Sequence, residues 1–352
     1  MSRFINSKLK SLSPYVPGEQ PKERKYVKLN TNESPYKPSY MAIKLAKKQL
    51  NKVMLYSDPE CKDLTNALAN YLGVLPSQVI LTNGSDEVLN FAFTAYCSDK
   101  KPAIFADVTY GFYKVFASVN GVPYKEIPLK SDFSLSVDDY LDEDGVIFIA
   151  NPNAPTGLSI SLSDIEKLLQ KNADRLVVVD EAYVDFGGES AVKLVDKYDN
   201  LLVTQTFSKS RSMAGARLGF GVANEKIIKD LNTVKYSTNP YNVNRVTQAM
   251  GIGAILDDKY FRKNCENIIK NREFTVTSLK KLGFEVTDSK TNFVFAKNLK
   301  ISGESLYKQL KQRGILVRHF NTERLKDYVR ITIGSEKEMK TFIKEVASIL
   351  GE

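Results

Sequence analysis

Lys209 sits where the apolar run Leu201-Leu202-Val203-Thr204 gives way to Thr206-Phe207-Ser208-Lys209-Ser210. A lysine at the exit of a buried strand is partly desolvated, which frees its amine for attack on an aldehyde. Ser208 adds a hydroxyl, and Arg217 in Gly215-Ala216-Arg217-Leu218-Gly219 adds a planar fork of donors; together they suit a phosphate. The two glycines leave room for backbone and ligand to approach closely. Upstream, Val177-Val178-Val179 runs into Asp180-Glu181-Ala182-Tyr183. A carboxylate at the end of a buried strand is costly unless it meets a cation, and a protonated ring nitrogen is one. By itself Asp180 is more often a helix cap or a structural ion pair, and Tyr183 more often core. An isolated Ser-Lys pair is equally weak, but Ser208-Lys209 followed after seven residues by Arg217, beyond an apolar strand, is far more specific.

Three further turns follow apolar runs. Thr82-Asn83-Gly84-Ser85-Asp86-Glu87 leads into an apolar-periodic stretch. A Gly-Ser turn at a helix start offers free N–H groups and the positive dipole end to a phosphate, although a plain serine cap reads equally well here. Thr109-Tyr110-Gly111 places an aromatic where it can stack on a flat ring, or simply pack. Asn151-Pro152-Asn153-Ala154-Pro155-Thr156-Gly157 carries two prolines that stiffen the backbone, as a pre-organised site requires.

These turns converge only if a sheet brings strand ends together. Between about residues 60 and 225, helical periods alternate with short β-rich runs. The pattern predicts a helix over 85–96, a strand over 103–106, a helix over 112–119, and strands over 122–127 and 146–150. The next helix is expected to start with a capping box of Ser163 and Glu166 and to bury Ile165, Leu168 and Leu169. The runs 176–179 and 201–204 suit strands covered on both faces. This alternation predicts an α/β domain on a mostly parallel sheet, with ligands at the carboxyl ends of its strands. Further on come a long helix over 264–282, strands over 284–286 and 293–295, and a helix through Leu306 and Leu310. Strands over 315–317 and 329–333 and a last helix complete a smaller α+β unit whose successive strands pair antiparallel. The expected organisation is an arm over 1–40, a large domain over 41–255 and a small domain over 256–352.

Bulk properties narrow the function classes. The 352 residues, 43% hydrophobic and 26% charged, suit a soluble globular protein with more than one core. No apolar run approaches the roughly 20 residues that cross a bilayer, and MSRFINSKLKSL lacks the apolar stretch of a secretory signal. Cys61, Cys97 and Cys265 form neither a disulfide framework nor a metal pair, so a reducing cytoplasm is expected. The only histidine, His319, leaves little scope for a histidine zinc site or a Ser-His-Asp triad, and no metal is expected. The net charge of +9 comes from scattered lysines with no basic stripe, which points to phosphorylated small molecules rather than nucleic acid or a membrane.

In their order and spacing, the five segments resemble the pyridoxal-phosphate-dependent aminotransferases of fold type I, and the resemblance covers essentially the whole chain. It implies an α/β fold with a large domain on a mostly parallel, seven-stranded sheet, a smaller C-terminal α+β domain, and pyridoxal 5′-phosphate as cofactor. By that resemblance Lys209 binds the cofactor aldehyde covalently and moves the proton, while Asp180 pairs with the ring nitrogen and keeps it protonated, which makes the ring an electron sink. Tyr183 bonds the ring 3-oxygen and Tyr110 stacks on the ring. Ser85, Ser208 and Arg217 hold the phosphate, with Asp86 also at the cofactor. Tyr56, in Leu55-Tyr56-Ser57-Asp58-Pro59, looks like the tyrosine that reaches a neighbouring subunit's cofactor phosphate, which implies a homodimer with shared sites. The chain departs from the family at Ala154, where an asparagine usually precedes Pro-Thr-Gly and bonds the ring 3-oxygen; either Tyr183 serves that oxygen alone or Asn153 moves in.

Within the family, four segments are similar to the branch that passes an amino group from glutamate to imidazole-acetol phosphate, yielding 2-oxoglutarate and histidinol phosphate. They are Leu12-Ser13-Pro14-Tyr15, Leu29-Asn30-Thr31-Asn32-Glu33-Ser34-Pro35, Ile315-Leu316-Val317-Arg318-His319-Phe320 and Val329-Arg330-Ile331-Thr332-Ile333-Gly334. The similarity implies that Tyr15, Asn32, Arg318 and Arg330 bind substrate. Arg330 would hold the carboxylate of the amino-acid partner, and Arg318, Arg330 and Tyr15 the phosphate end; paired guanidiniums suit either anion. Without it, both arginines read as strand-end charges facing solvent. An aromatic amino-acid aminotransferase of the same fold is the alternative.

Overall fold

The computed structural model describes every residue except 1, 7, 8, 11, 14 and 16, so Pro14 of the Leu12-Ser13-Pro14-Tyr15 segment lies outside the described residues. The strands in chain order are β1 (Val27–Lys28), β2 (Val79–Thr82), β3 (Ala103–Ala106), β4 (Tyr124–Ile127), β5 (Val146–Ala150), β6 (Val177–Asp180) and β7 (Leu201–Thr206). They continue with β8 (Gly219–Ala223), β9 (Phe284–Val286), β10 (Phe293–Asn298), β11 (Ile315–Leu316), β12 (Arg318–His319) and β13 (Tyr328–Thr332).

Seven strands form one sheet in the order β2-β8-β7-β6-β5-β3-β4. It is parallel except that β8 runs against both of its neighbours. Its central strands are apolar without alternation because both faces are covered. Ile147, Ile149, Val177, Val179, Leu201 and Val203 face one buried cluster, while Val146, Phe148, Val178 and Leu202 face another. The carboxyl ends of β5, β6 and β7 therefore open side by side, which is where ligands bind in sheets of this kind.

The helix after β5 spans Leu162–Lys171 and buries Ile165, Leu168 and Leu169 as expected. Its capping box, however, is Ser161 with Asp164, not Ser163 with Glu166. The helix starts two residues earlier, and Glu166 instead pairs with Lys197 and accepts from the Tyr198 hydroxyl. The long C-terminal helix also starts earlier than its apolar period, at Asp258, and runs to Lys281.

The second sheet has the order β12-β13-β10-β9, antiparallel throughout. The expected strand over 315–317 is observed as β11, which pairs parallel with β1 from the N-terminal segment, while the strand that joins this sheet is β12, just beyond the expected span. That pairing ties residues before the large sheet to the C-terminal unit. Among the described residues no helix is long and apolar enough to cross a membrane, and the three cysteines are free and buried.

Candidate active site

An inner cavity lies over the ends of β5, β6 and β7, lined by Ala150, Asp180, Thr206, Ser208 and Lys209 among others. Lys209 Nζ stands 5.8 Å from the centre of the Tyr183 ring and 3.5 Å from the Thr31 carbonyl oxygen, which is long for a hydrogen bond. Asp180 is 5% exposed. It accepts from the Tyr113 hydroxyl at 3.0 Å and from the Ala182 N–H at 3.3 Å. Burial pushes its pKa up to about 6, against the pull of those bonds. Asp180 is a buried acid with no ion-pair partner among the described residues.

Next to it, Glu181 does not line this cavity. Burial pushes it up to about 7, and it accepts from the Ser190 hydroxyl, the Ala191 N–H and the Gln205 amide. One strand end thus presents two buried acids, of which Asp180 lines the cavity.

Ser85 opens the helix Ser85–Tyr96, with Gly84 as its cap. Gly84 has φ +82, and a side chain there would meet Arg217 Nη2 at 2.5 Å; one on Gly219 would meet the Ser85 nitrogen at 2.2 Å. These glycines let the helix start, β8 and the arginine crowd around one point. Gly215, by contrast, borders open space: a Cβ there would meet no protein atom within 4 Å. Arg217 lies 3.4 Å from Ser208 Oγ and forms an ion pair with Asp86 at 3.0 Å. The Tyr110 hydroxyl donates to the other Asp86 oxygen at 2.8 Å. Asp86 thereby orients Arg217 and Tyr110, while the N–H groups at the helix start and the two side-chain donors form an anion cradle.

The Asn32 amide donates to the Tyr183 hydroxyl at 2.9 Å, which leaves the tyrosine's own proton to be given away. Asn32 itself has φ 55 and accepts from Thr332, so its side chain is engaged with protein. Asn153 is held too: it accepts from Thr109 and donates to the Val108 carbonyl and to Thr156. Ala154 lines the inner cavity beside Tyr183. With Asn153 committed elsewhere, Tyr183 is the donor left at that point.

An outer cavity continues the inner one, sharing Thr31, Tyr110, Ala154, Tyr183 and Lys209. Tyr15, Arg318 and Arg330 line its far side. Arg318 and Arg330 stand opposite one another across β12 and β13. Arg330 donates to the Asn30 carbonyl at 3.1 Å, while its buried Nε finds no hydrogen-bond partner among the described residues. Burial presses its pKa below the usual arginine value. A half-buried guanidinium in that condition is a receptor for an anion. Tyr56 is apart from both cavities, 79% exposed and stacked on Tyr241.

Sequence reasoning missed Tyr113, whose only signal was an aromatic one helical turn beyond Tyr110. It also missed Glu33, which lines the inner cavity while paired with Lys28 at 2.6 Å. The donor set fits pyridoxal phosphate: a buried acid for a protonated ring nitrogen, an amine for an aldehyde, a tyrosine for a phenolic oxygen and an anion cradle at the helix start.

The chain belongs to the aminotransferase class I and II family, whose profile matches residues 24–346. It is 48% identical over 347 residues to the histidinol-phosphate aminotransferase of Clostridium acetobutylicum, covering 98% of this chain and 99% of that protein. Against the histidinol-phosphate aminotransferase of a Marinomonas species it is 49% identical over 344 residues, with 96% and 97% covered. Among solved structures, histidinol-phosphate aminotransferase from Sinorhizobium meliloti, in complex with pyridoxal-5′-phosphate, superposes with a TM-score of 0.91 at 21% identity, covering 100% of this chain and 98% of that one. That neighbour carries the fold: an α/β enzyme of fold type I.

Proposed function

We propose that this chain is a pyridoxal-phosphate-dependent histidinol-phosphate aminotransferase, exchanging an amino group between glutamate and imidazole-acetol phosphate in histidine biosynthesis. The observation that carries this reading is the continuity of two cavities: an inner one with Asp180, Lys209 and Arg217, and an outer one ending in Arg330, a half-buried cation whose Nε has no partner among the described residues. When bound, the cofactor supplies an electron sink for a carbanion at the substrate α-carbon.

The protein's residues do the rest. Asp180 holds the ring nitrogen protonated, and the cation repays the cost of burying that acid. Tyr183 donates to the ring 3-oxygen while Asn32 holds the tyrosine in place. Ser85, Ser208 and Arg217 would hold the phosphate, Tyr110 would stack on the ring, and Asp86 keeps Arg217 and Tyr110 aimed. Lys209 would hold the cofactor's aldehyde, and its free amine would move the proton at the substrate α-carbon. Arg330 takes the donor carboxylate, and Arg318, Arg330 and Tyr15 take the phosphate end of the phosphorylated partner. Asn32 meets substrate through its place in the outer cavity wall.

The same reading includes a homodimer in the cytoplasm. Val53, Met54, Leu55 and Tyr56 are each more than half exposed, an apolar strip suited to a second copy, with Tyr56 reaching the neighbour's cofactor phosphate. It also includes the division into an arm over 1–40, a large domain over 41–255 and a small domain over 256–352.

Visible absorbance of the purified holoenzyme tests the proposal. Glutamate should bleach the band and imidazole-acetol phosphate should restore it, with ping-pong kinetics. A cofactor-supplied protein with no visible band would overturn it. The aromatic lining of the outer cavity, with Phe105, Tyr110 and Phe320, also favours phenylpyruvate as a second acceptor. Faster turnover of phenylpyruvate than of imidazole-acetol phosphate would move the assignment to an aromatic aminotransferase.

A further inference from the structure

Arg324 lies on the outer cavity wall and takes its hydrogen-bond partners from the turns after β3 and β4. It follows β12, in the loop that supplies Phe320, Thr322, Glu323 and Leu325 to the same wall. Its guanidinium donates to Asp107 Oδ2 and to the Leu129 carbonyl, each at 2.7 Å, and to the Lys130 carbonyl. It also lies over the Phe133 ring, 5.2 Å from the centroid. Asp107 follows β3 at the mouth of the large sheet, and its other oxygen accepts from the Leu129 N–H at 2.9 Å. One arginine thus fastens the 320–325 loop to two neighbouring turns of the large-sheet side.

Two features carry that fastening to the anion receptor. Leu325, beside Arg324, is buried with Ala106, Val108, Leu129, Phe133 and Phe295, so the loop is packed as well as hydrogen-bonded. At the other end of the loop, the Phe320 ring lies 5.6 Å from the Arg318 guanidinium and 5.8 Å from that of Arg330. The loop therefore runs from a clamp on the large sheet to the ring against which both anion-binding arginines rest.

We infer that Arg324 is a positioning residue for substrate selection: by clamping the 320–325 loop to Asp107 and the 129–130 turn, it sets where Phe320 holds Arg318 and Arg330 and so fixes the span from Lys209 to the bound phosphate. The inference rests on the proposed reaction for its substrate but not for its geometry. Arg324 meets no reacting atom; its effect falls on binding of the anionic end.

The test compares wild type, Arg324→Lys and Arg324→Ala as holoenzymes, measuring KM and kcat for histidinol phosphate, inhibition by inorganic phosphate, and hydrogen exchange at amides 320–325. Arg324→Ala should speed exchange in the loop and raise both KM and the phosphate inhibition constant about tenfold, with kcat within about threefold and the cofactor spectrum and its pH profile unchanged. Arg324→Lys keeps the ion pair with Asp107 but not the forked contact with two carbonyls, and should fall between. Unchanged KM and phosphate inhibition, or a loss in kcat at constant KM, would overturn the inference. If wild type turned over glutamate but not histidinol phosphate, the reaction assignment would fail, while weaker phosphate inhibition of the glutamate reaction in Arg324→Ala would still support the clamp.

Discussion

The inner and outer cavities treat charge in opposite ways. In the inner one, Asp86 neutralises Arg217 and receives Tyr110, Tyr113 bonds Asp180, and Asn32 bonds Tyr183 before any ligand arrives. In the outer one, two arginines face each other across β12 and β13, and Arg330 is pressed down by burial with an unpartnered Nε. A resident group rewards a cradle whose donors are already oriented, because ordering them on each binding event would cost affinity. A substrate that must enter and leave is better served by a charge deficit that each incoming anion fills. The difference separates a site built to keep its ligand from one built to exchange it.

The strongest way to break that contrast is at its shared wall, where Lys209 lines both cavities. Lys209→Ala should lower turnover by at least ~10⁴-fold, since anchor and proton carrier go together, while cofactor still binds the cradle through its phosphate. Stopped-flow absorbance after glutamate addition separates these outcomes; retained amino-group exchange would remove the basis of the assignment. Next in size is Arg330→Ala, which deletes the charge-assisted contact to the carboxylate. A loss of about 2–3 kcal/mol, or roughly a hundredfold in kcat/KM, is expected for glutamate, with the cofactor band unmoved. A shifted band would mean that the two cavities are not separable in this way.

Asp180 sharpens the comparison through pH. In cofactor-free protein its pKa rises on folding from the ordinary 3.8 to about 6, so the folded state holds the proton more tightly than the unfolded one. The associated stability is complete below 3.8 and is lost as pH climbs through about 6. Asp180→Asn removes that penalty: the cofactor-free variant should be more stable than wild type at pH 8, by on the order of 3 kcal/mol, and no more stable at pH 3. Cofactor affinity should move the other way, because the ring nitrogen loses its acid. Thermal melts of both proteins at the two pH values, without and then with cofactor, read both signs. Lower stability of the cofactor-free variant at pH 8 would mean that Asp180 is already satisfied without a ligand.

Much of the inner site was legible in the sequence because its residues follow apolar runs, and a run covered on both faces betrays a strand without any knowledge of its neighbours. Asp180, Lys209 and Ser85 lie at or just beyond element ends that the pattern marks. The misses are residues whose roles depend on distant chain. Tyr113 looks like any helical aromatic until β6 brings Asp180 to its hydroxyl, and Arg324 looks like a loop charge until the fold sets it against Asp107. The strand over 315–317 left the small sheet for a similar reason, since the partner of β11 comes from the N-terminal segment, beyond the reach of a local pattern. The capping box was displaced because Ser161 and Ser163 both precede the same apolar face, and spacing alone does not choose between them.

The smallest expected effect lies at Ala154, where the cradle is less furnished than the family pattern implies. Asn153 has its amide committed to Thr109, Val108 and Thr156, so among these neighbours only Tyr183 is placed to serve the ring 3-oxygen. Ala154→Asn would return a second donor to that oxygen. A hydrogen bond to the charged form of an acid favours that form, so the pH midpoint of the bound cofactor's colour change should fall, by on the order of one pH unit. Inhibition by inorganic phosphate should not change, because the anion receptor on the second sheet is untouched. An unmoved midpoint would mean that Tyr183, held by Asn32, already saturates the oxygen; weaker phosphate binding would mean that the loop carrying Ala154 and Pro155, which borders both cavities, couples them after all.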